Sequence, residues 1–128
     1  MDQLKNQDPD KITPRMRECI DLCHRCFVSC TETARHCLTL GGEHAAKDHL
    51  ALLLSCAEIC HASARVMTMG SPVHDRFCAA CTEVCDACAD SCERLPDDLM
   101  LDCASVCRAC ADSCRELSLS RTPGRQAA

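Results

Sequence analysis

The sequence has no tryptophan and no tyrosine, and only two phenylalanines, Phe27 and Phe77. A core packed around aromatic side chains is thereby excluded. There is no long apolar run: the longest, Leu50 to Leu54, falls far short of the ~20 residues that a membrane helix needs. No segment alternates with a period of two, so strands are not expected. A basic face is missing as well. The 14 Lys and Arg are scattered singly among 19 Asp and Glu, and the net charge of −5 argues against a nucleic-acid partner. The opening residues, "MDQLKNQDPDKITP", show no apolar stretch and no cleavage site of a secretory leader, so a cytoplasmic protein is expected. Neither a Ser/His/Asp set, a phosphate-binding loop nor a paired-carboxylate cleft can be picked out, which speaks against an enzyme.

What the sequence does have is sulfur: 16 cysteines in 128 residues. In an oxidising compartment an even count would suggest disulfides, whereas in the cytosol thiols stay reduced. Free thiols at this density point to metal.

Punctuation divides the chain into four helical segments of one domain spanning residues 1–128. Thr13-Pro14 offers an N-cap followed by a first-turn proline, and Gly41-Gly42 stops the periodicity that begins there. The segments expected are 14–40, 43–69, 72–95 and 97–117, with Ser71-Pro72 and Asp97 or Asp98 as further starts. The tail 118–128 is expected to be flexible. Short connections between long helices predict an all-α, antiparallel up-down-up-down four-helix bundle. "CDACADSCERL" (85–95) and "CRACADSCREL" (107–117) are near copies, and "CIDLCHRCFVSC" (19–30) shares their spacing.

The cysteines fall on these helices as Cys19, Cys23, Cys26, Cys30 and Cys37; Cys56 and Cys60; Cys78, Cys81, Cys85, Cys88 and Cys92; and Cys103, Cys107, Cys110 and Cys114. Gaps of 3, 4 or 7 put each set on one stripe, turned toward the bundle axis. A second stripe, with Ile20, Phe27, Leu52, Ile59, Val66, Phe77, Val84, Leu99 and Val106, is suited to sealing adjacent helices. Folding the chain about its breaks stacks Cys23, Cys60, Cys81 and Cys110 in one level, and Cys26, Cys56, Cys85 and Cys107 in the next. Cys30, Cys88 and Cys103 then meet Leu52 or Leu53, and Cys19, Cys78 and Cys114 meet Ser63. One mouth collects Cys37, His49, Cys92 and Met100; the other collects Met16, Met67 and His74. His49 continues the stripe of Cys56 and Cys60 and is the first candidate for an entry ligand, with Met100 beside it. His24, His36, His44 and His61 are expected to face solvent.

Such a sulfur-lined interior selects among metals. Disulfides between cysteines three or four apart on one helix are disfavoured because their Cβ vectors run side by side, although cross-helix bridges are geometrically possible. Zinc prefers tetrahedral thiolates from C-x₂-C turns, and each Zn²⁺ with four thiolates leaves about two negative charges, costly when stacked in a dry interior. Iron–sulfur clusters take cysteine runs in loops. Cu(I) is soft, favours thiolate and thioether, and cancels about one thiolate per ion. Protonated thiols stay neutral when the interior is empty, and protons leave as metal enters.

With its C-x₃-C segments "CIDLC", "CAEIC", "CTEVC", "CADSC" and "CASVC", the chain resembles the bacterial copper storage proteins, in particular their cytosolic branch, over roughly residues 14–117. The resemblance implies many Cu(I) ions held mainly by cysteine pairs, entry at one mouth aided by His or Met, and a homotetramer. The chain departs from the pattern in having only two cysteines on its second helix. The reading is therefore a cytosolic, high-capacity Cu(I) store. The alternatives are an iron–sulfur electron carrier and a copper chaperone or sensor of low capacity.

Overall fold

The computed structural model describes residues 12–95 and 97–127, and side chains as far as Ser118. Four helices follow in order: α1 (Pro14–Leu40), α2 (Lys47–Met69), α3 (His74–Glu93) and α4 (Asp98–Ala127), with a 3₁₀ turn (Gly42–Ala45) between the first two. Each helix packs on its two neighbours, α1 on α2, α2 on α3, α3 on α4 and α4 on α1; among the described residues no Cα of one helix comes within 8 Å of a Cα on the helix diagonally opposite. The ring encloses an axis onto which the cysteine stripes point. This is the antiparallel four-helix bundle read from the sequence, with its cysteine-lined core.

Local chemistry sets the helix ends. Thr13 Oγ1 accepts from the Met16 N–H at 3.1 Å, satisfying one of the free donors of the first turn of α1. Gly41, at φ 71°, lets its N–H reach the Cys37 carbonyl at 3.0 Å. Gly70 closes α2 in the left-handed region at φ 73°, where an L side chain is strained.

Four boundaries differ from expectation. Residues 43–45 form the 3₁₀ turn rather than the start of α2, because Ala46 is extended and breaks the run. Helix α3 begins at His74, not at residue 72. Ser71 instead finishes α2, its N–H donating to the Val66 carbonyl at 3.0 Å, while its Oγ accepts from the Val73 N–H. At its other end α3 stops at Glu93, short of residue 95. A turn follows there, closed by the Leu95 N–H on the Cys92 carbonyl, as suits a residue that precedes proline. Helix α4 runs to Ala127 where an end at 117 was expected; no glycine stop occurs before Gly124, and extending a formed helix is easier than starting one.

Helix α2 is long and apolar enough, by length and composition, to cross a membrane, with a window of mean hydropathy 1.4. In the bundle its inward stripe is His49, Leu53, Cys56, Cys60, Ser63 and Met67. Around the cysteines, buried Ala34, Ala57, Ala64, Ala89, Ala104 and Ala111 fill the gaps between helices. The largest apolar groups sealed with them are Ile20, Leu53, Met67 and Met100. Leu53 has no exposed surface, so Leu53→Ala should destabilise the reduced metal-free protein by about 2–5 kcal/mol in urea unfolding. A loss below about 0.5 kcal/mol would mean that the site is not packed.

Candidate metal centre

All sixteen cysteines are free and buried. Cys19 lies 3.6 Å from Cys114, and Cys23 lies 3.7 Å from both Cys114 and Cys110. Cys60 then meets Cys110 at 3.8 Å, Cys81 at 3.7 Å and Cys85 at 3.5 Å. Cys56 touches Cys85 at 3.6 Å and Cys26 at 3.7 Å; Cys107 sits 3.8 Å from Cys26 and 3.7 Å from Cys30. Cys30 reaches Cys103 at 3.9 Å. Sulfur therefore follows sulfur without a break from Cys19 to Cys103, in the order that folding the sequence about its turns produces. Of the two leucines offered for the third level, Leu53 is buried and Leu52 only half-buried. Ser63 occupies the end level and donates to the Phe77 carbonyl at 3.4 Å.

Three sets of four sulfurs lie within 4.8 Å of one another: Cys23, Cys81, Cys110 and Cys114; Cys26, Cys60, Cys85 and Cys110; and Cys26, Cys30, Cys56 and Cys107. Cys26 and Cys110 each belong to two sets. A sulfur shared by neighbouring sets is a bridge, so the arrangement suits a chain of linked ions rather than isolated centres. Sulfurs sharing one metal at thiolate bond lengths of ~2.3 Å stand about 3.8 Å apart, close to the spacing already present.

The thiols also divide the work of holding protons. Hydrogen bonds with Cys103, Cys107, Cys26 and Cys56, and then burial, push Cys30 up. Cys26 is pulled down by its contacts with Cys107, Cys110, Cys30 and Cys56, against burial. Contacts with Cys114 and Cys23 bring Cys110 down to about 7. For Cys78 the contact with Cys114 pulls downward, but Cys19 and burial outweigh it and the thiol is pushed up to about 12.

At one mouth Cys37 Sγ is 3.5 Å from His49 Nε2 and donates to Met100 Sδ at 3.6 Å. Burial, followed by the charge of Asp97, pushes the Cys37 thiol up. Burial pulls His49 down, which favours the neutral ring. Its Nδ1 shares a 2.7 Å hydrogen bond with Ser91 Oγ, which holds the ring with Nε2 turned to the sulfur. Cys88 and Cys92 are buried on the same part of α3. At the opposite mouth Cys78 donates to Met67 Sδ at 3.8 Å, His74 Nδ1 lies 2.9 Å from the Ser71 carbonyl, and Met16 is half-buried.

Three histidines expected in solvent are placed otherwise. His61 stacks against Phe27 with centroids 4.8 Å apart, and His36 and His44 flank Asp97; all three are half-buried, and His24 alone of the four is exposed. The sequence reading missed Ser91, which orients His49 and is adjacent to the stripe cysteine Cys92. It also missed Asp75, an almost fully buried carboxylate near the second mouth, and Asp97, which was read only as a cap.

The family model for copper storage proteins matches residues 12–119. A protein of Nitrosospira multiformis with a crystal structure is 43% identical and superimposes with a TM-score of 0.78, over 82% of this chain and 95% of that one. The Cu(I)-bound copper storage protein BsCsp3 of Bacillus subtilis gives a TM-score of 0.77 at 30% identity, over 81% and 98% of the two chains. A cytosolic copper storage protein of Streptomyces lividans, solved with five coppers, gives 0.76 at 32% identity, over 82% and 92%. A bundle filled with linked sulfurs, matched along nearly all of its described length, belongs to the copper storage protein family.

Proposed function

We propose that this chain is a cytosolic, high-capacity store for Cu(I), without catalysis, in which the core thiolates hold many linked ions and limit the toxicity of free copper. The sharing of Cys26 and Cys110 between adjacent four-sulfur sets carries the reading, because a chaperone or sensor needs only one exposed site. The Cu(I)-bound and copper-loaded relatives support it. So does charge: each Cu⁺ cancels about one thiolate, which lets a dry interior fill along its whole length. The site comprises the sixteen cysteines, with His49 and Met100 beside Cys37 as the ligands that receive copper at the mouth. A thiol-rich chain keeps this form in the reducing cytosol. One domain forms the working unit. Self-association as a homotetramer is supported by the outer face of α2, where Leu54 and Met69 are exposed and Ile59 and Ala62 line a shallow groove.

Titrating the reduced metal-free protein with Cu(I) against a competing chelator tests the reading. Uptake should continue far beyond one or two ions per chain in a colourless sample. Saturation at one ion would indicate a delivery protein, and stoichiometric iron with a visible charge-transfer band an iron–sulfur carrier. His49→Ala should slow copper uptake at least about threefold while changing final capacity by no more than one ion; an unchanged rate would remove His49 from the entry path.

Proton linkage gives a further check. The folded-state values of Cys78 and Cys37 lie above the ordinary thiol value of 9.0. Groups raised on folding stabilise the protein below that value, and the contribution is lost as pH rises toward the folded one. The urea midpoint of the metal-free protein should fall between pH about 9 and pH about 12, whereas the copper-loaded protein, having lost those protons, should show a much smaller drop over the same range. Equal pH dependence of the two forms would contradict this linkage.

A further inference from the structure

Outside the sulfur seam, a second group of ligand-type side chains converges from three separate elements. His36 comes from the last turns of α1, His44 from the 3₁₀ turn, and Asp97 from just before α4. Asp97 Oδ1 lies 2.8 Å from His44 Nε2, and its Oδ2 lies 3.6 Å from His36 Nε2. The imidazoles stand edge to face, 6.3 Å apart at 88°, each offering Nε2 to a different carboxylate oxygen. Their side chains are only 32% and 24% exposed. His36 Nε2 is sealed from solvent and has no hydrogen-bond partner, although it faces the carboxylate. A buried ring nitrogen left unsatisfied beside a carboxylate is a place where an ion supplies the missing partner.

The donor set differs in kind from the seam. Two imidazoles and a carboxylate, with no sulfur, suit borderline divalent ions; soft Cu(I) goes to thiolate. Zinc-type bonds of ~2.0–2.2 Å place two ligands of a tetrahedron about 3.3–3.5 Å apart. Asp97 Oδ1 stands closer than this to His44 and Oδ2 slightly farther from His36, each ring on its own oxygen, so the rings must move inward to share one ion.

The geometry points to a second metal site: His36 Nε2, His44 Nε2 and the Asp97 carboxylate hold one divalent transition ion of the zinc class, with a further position left to water. Binding draws the two rings together around the carboxylate and ties the end of α1, the 3₁₀ turn and the start of α4 to one another. The site does not depend on the copper reading.

Co²⁺ alone, titrated into protein whose thiols are filled with Cu(I), tests the assignment. One Co²⁺ per chain should bind with the weak visible bands of nitrogen and oxygen ligation, without a sulfur-to-cobalt charge-transfer band, and Zn²⁺ should displace it. His44→Ala and Asp97→Asn should each weaken binding about tenfold or more. His24→Ala, on the exposed side of α1, should leave it unchanged. In metal-free protein, once Zn²⁺ is added beyond what the thiols take up, the ring proton resonances of His36 and His44 should move together, a readout that stands whether or not the thiols accept copper. Absence of Co²⁺ binding to the unaltered protein, a sulfur-to-cobalt band, resonances that stay fixed, or affinity in both variants unchanged from the unaltered protein would each overturn the site.

Discussion

The contact between one buried cysteine sulfur and the next governs this molecule. A protonated thiol packs as a small apolar group, and the same group without its proton is a metal ligand. Placing sulfurs at van der Waals separation, 3.6 Å for Cys19 and Cys114 and 3.9 Å for Cys30 and Cys103, serves both states with one arrangement. The core of the bundle is closed to solvent, and its sulfurs already stand near the separation that a shared metal requires. Such a core must be narrow. Buried alanines between the stripes bring neighbouring helices close, while among the described residues the diagonal backbones stay apart and meet through sulfur, as Cys60 meets Cys110.

A separate device sets the register of α3 against α4. The near copies at 85–95 and 107–117 differ at equivalent places by a change of sign: Asp86 answers to Arg108, and Glu93 to Arg115. Arg108 reaches Asp86 at 3.1 Å, Asp90 at 2.5 Å and Glu93 at 2.9 Å, while Arg115 joins Asp86 to Asp112. Exposed pairs of this kind contribute little singly, but a forked guanidinium held by several carboxylates fixes one alignment of the two helices. Sulfur meets sulfur at successive levels only if that alignment holds.

Helix count, stripe direction and the pairing of cysteine levels were legible from spacing, because residues three and four apart on a helix share a face and short turns fix which residues lie side by side. Finer features depended on partners distant in sequence. Ser71 reads as a cap for α3 until its N–H is seen to finish α2 at Val66. His44 and Asp97 are separated by more than fifty positions, and nothing local marks them as neighbours. His61 looks solvated until Phe27 of the adjacent helix is set against it. The choice between Leu52 and Leu53 also needed the packed helix, since a rotation of one residue separates an inward side chain from one on the seam.

Helix α2 supplies two thiols, Cys56 and Cys60, both near its middle, with Leu53 and Ser63 at the flanking levels. Metal bonds to a filled interior would fasten its neighbours along much of their length but would grip α2 at the waist and, through His49, at its first turn. Cargo would thus stiffen three walls and hold the fourth like a lever at its fulcrum and one end, leaving the arm beyond Cys60 without a thiolate to the metal.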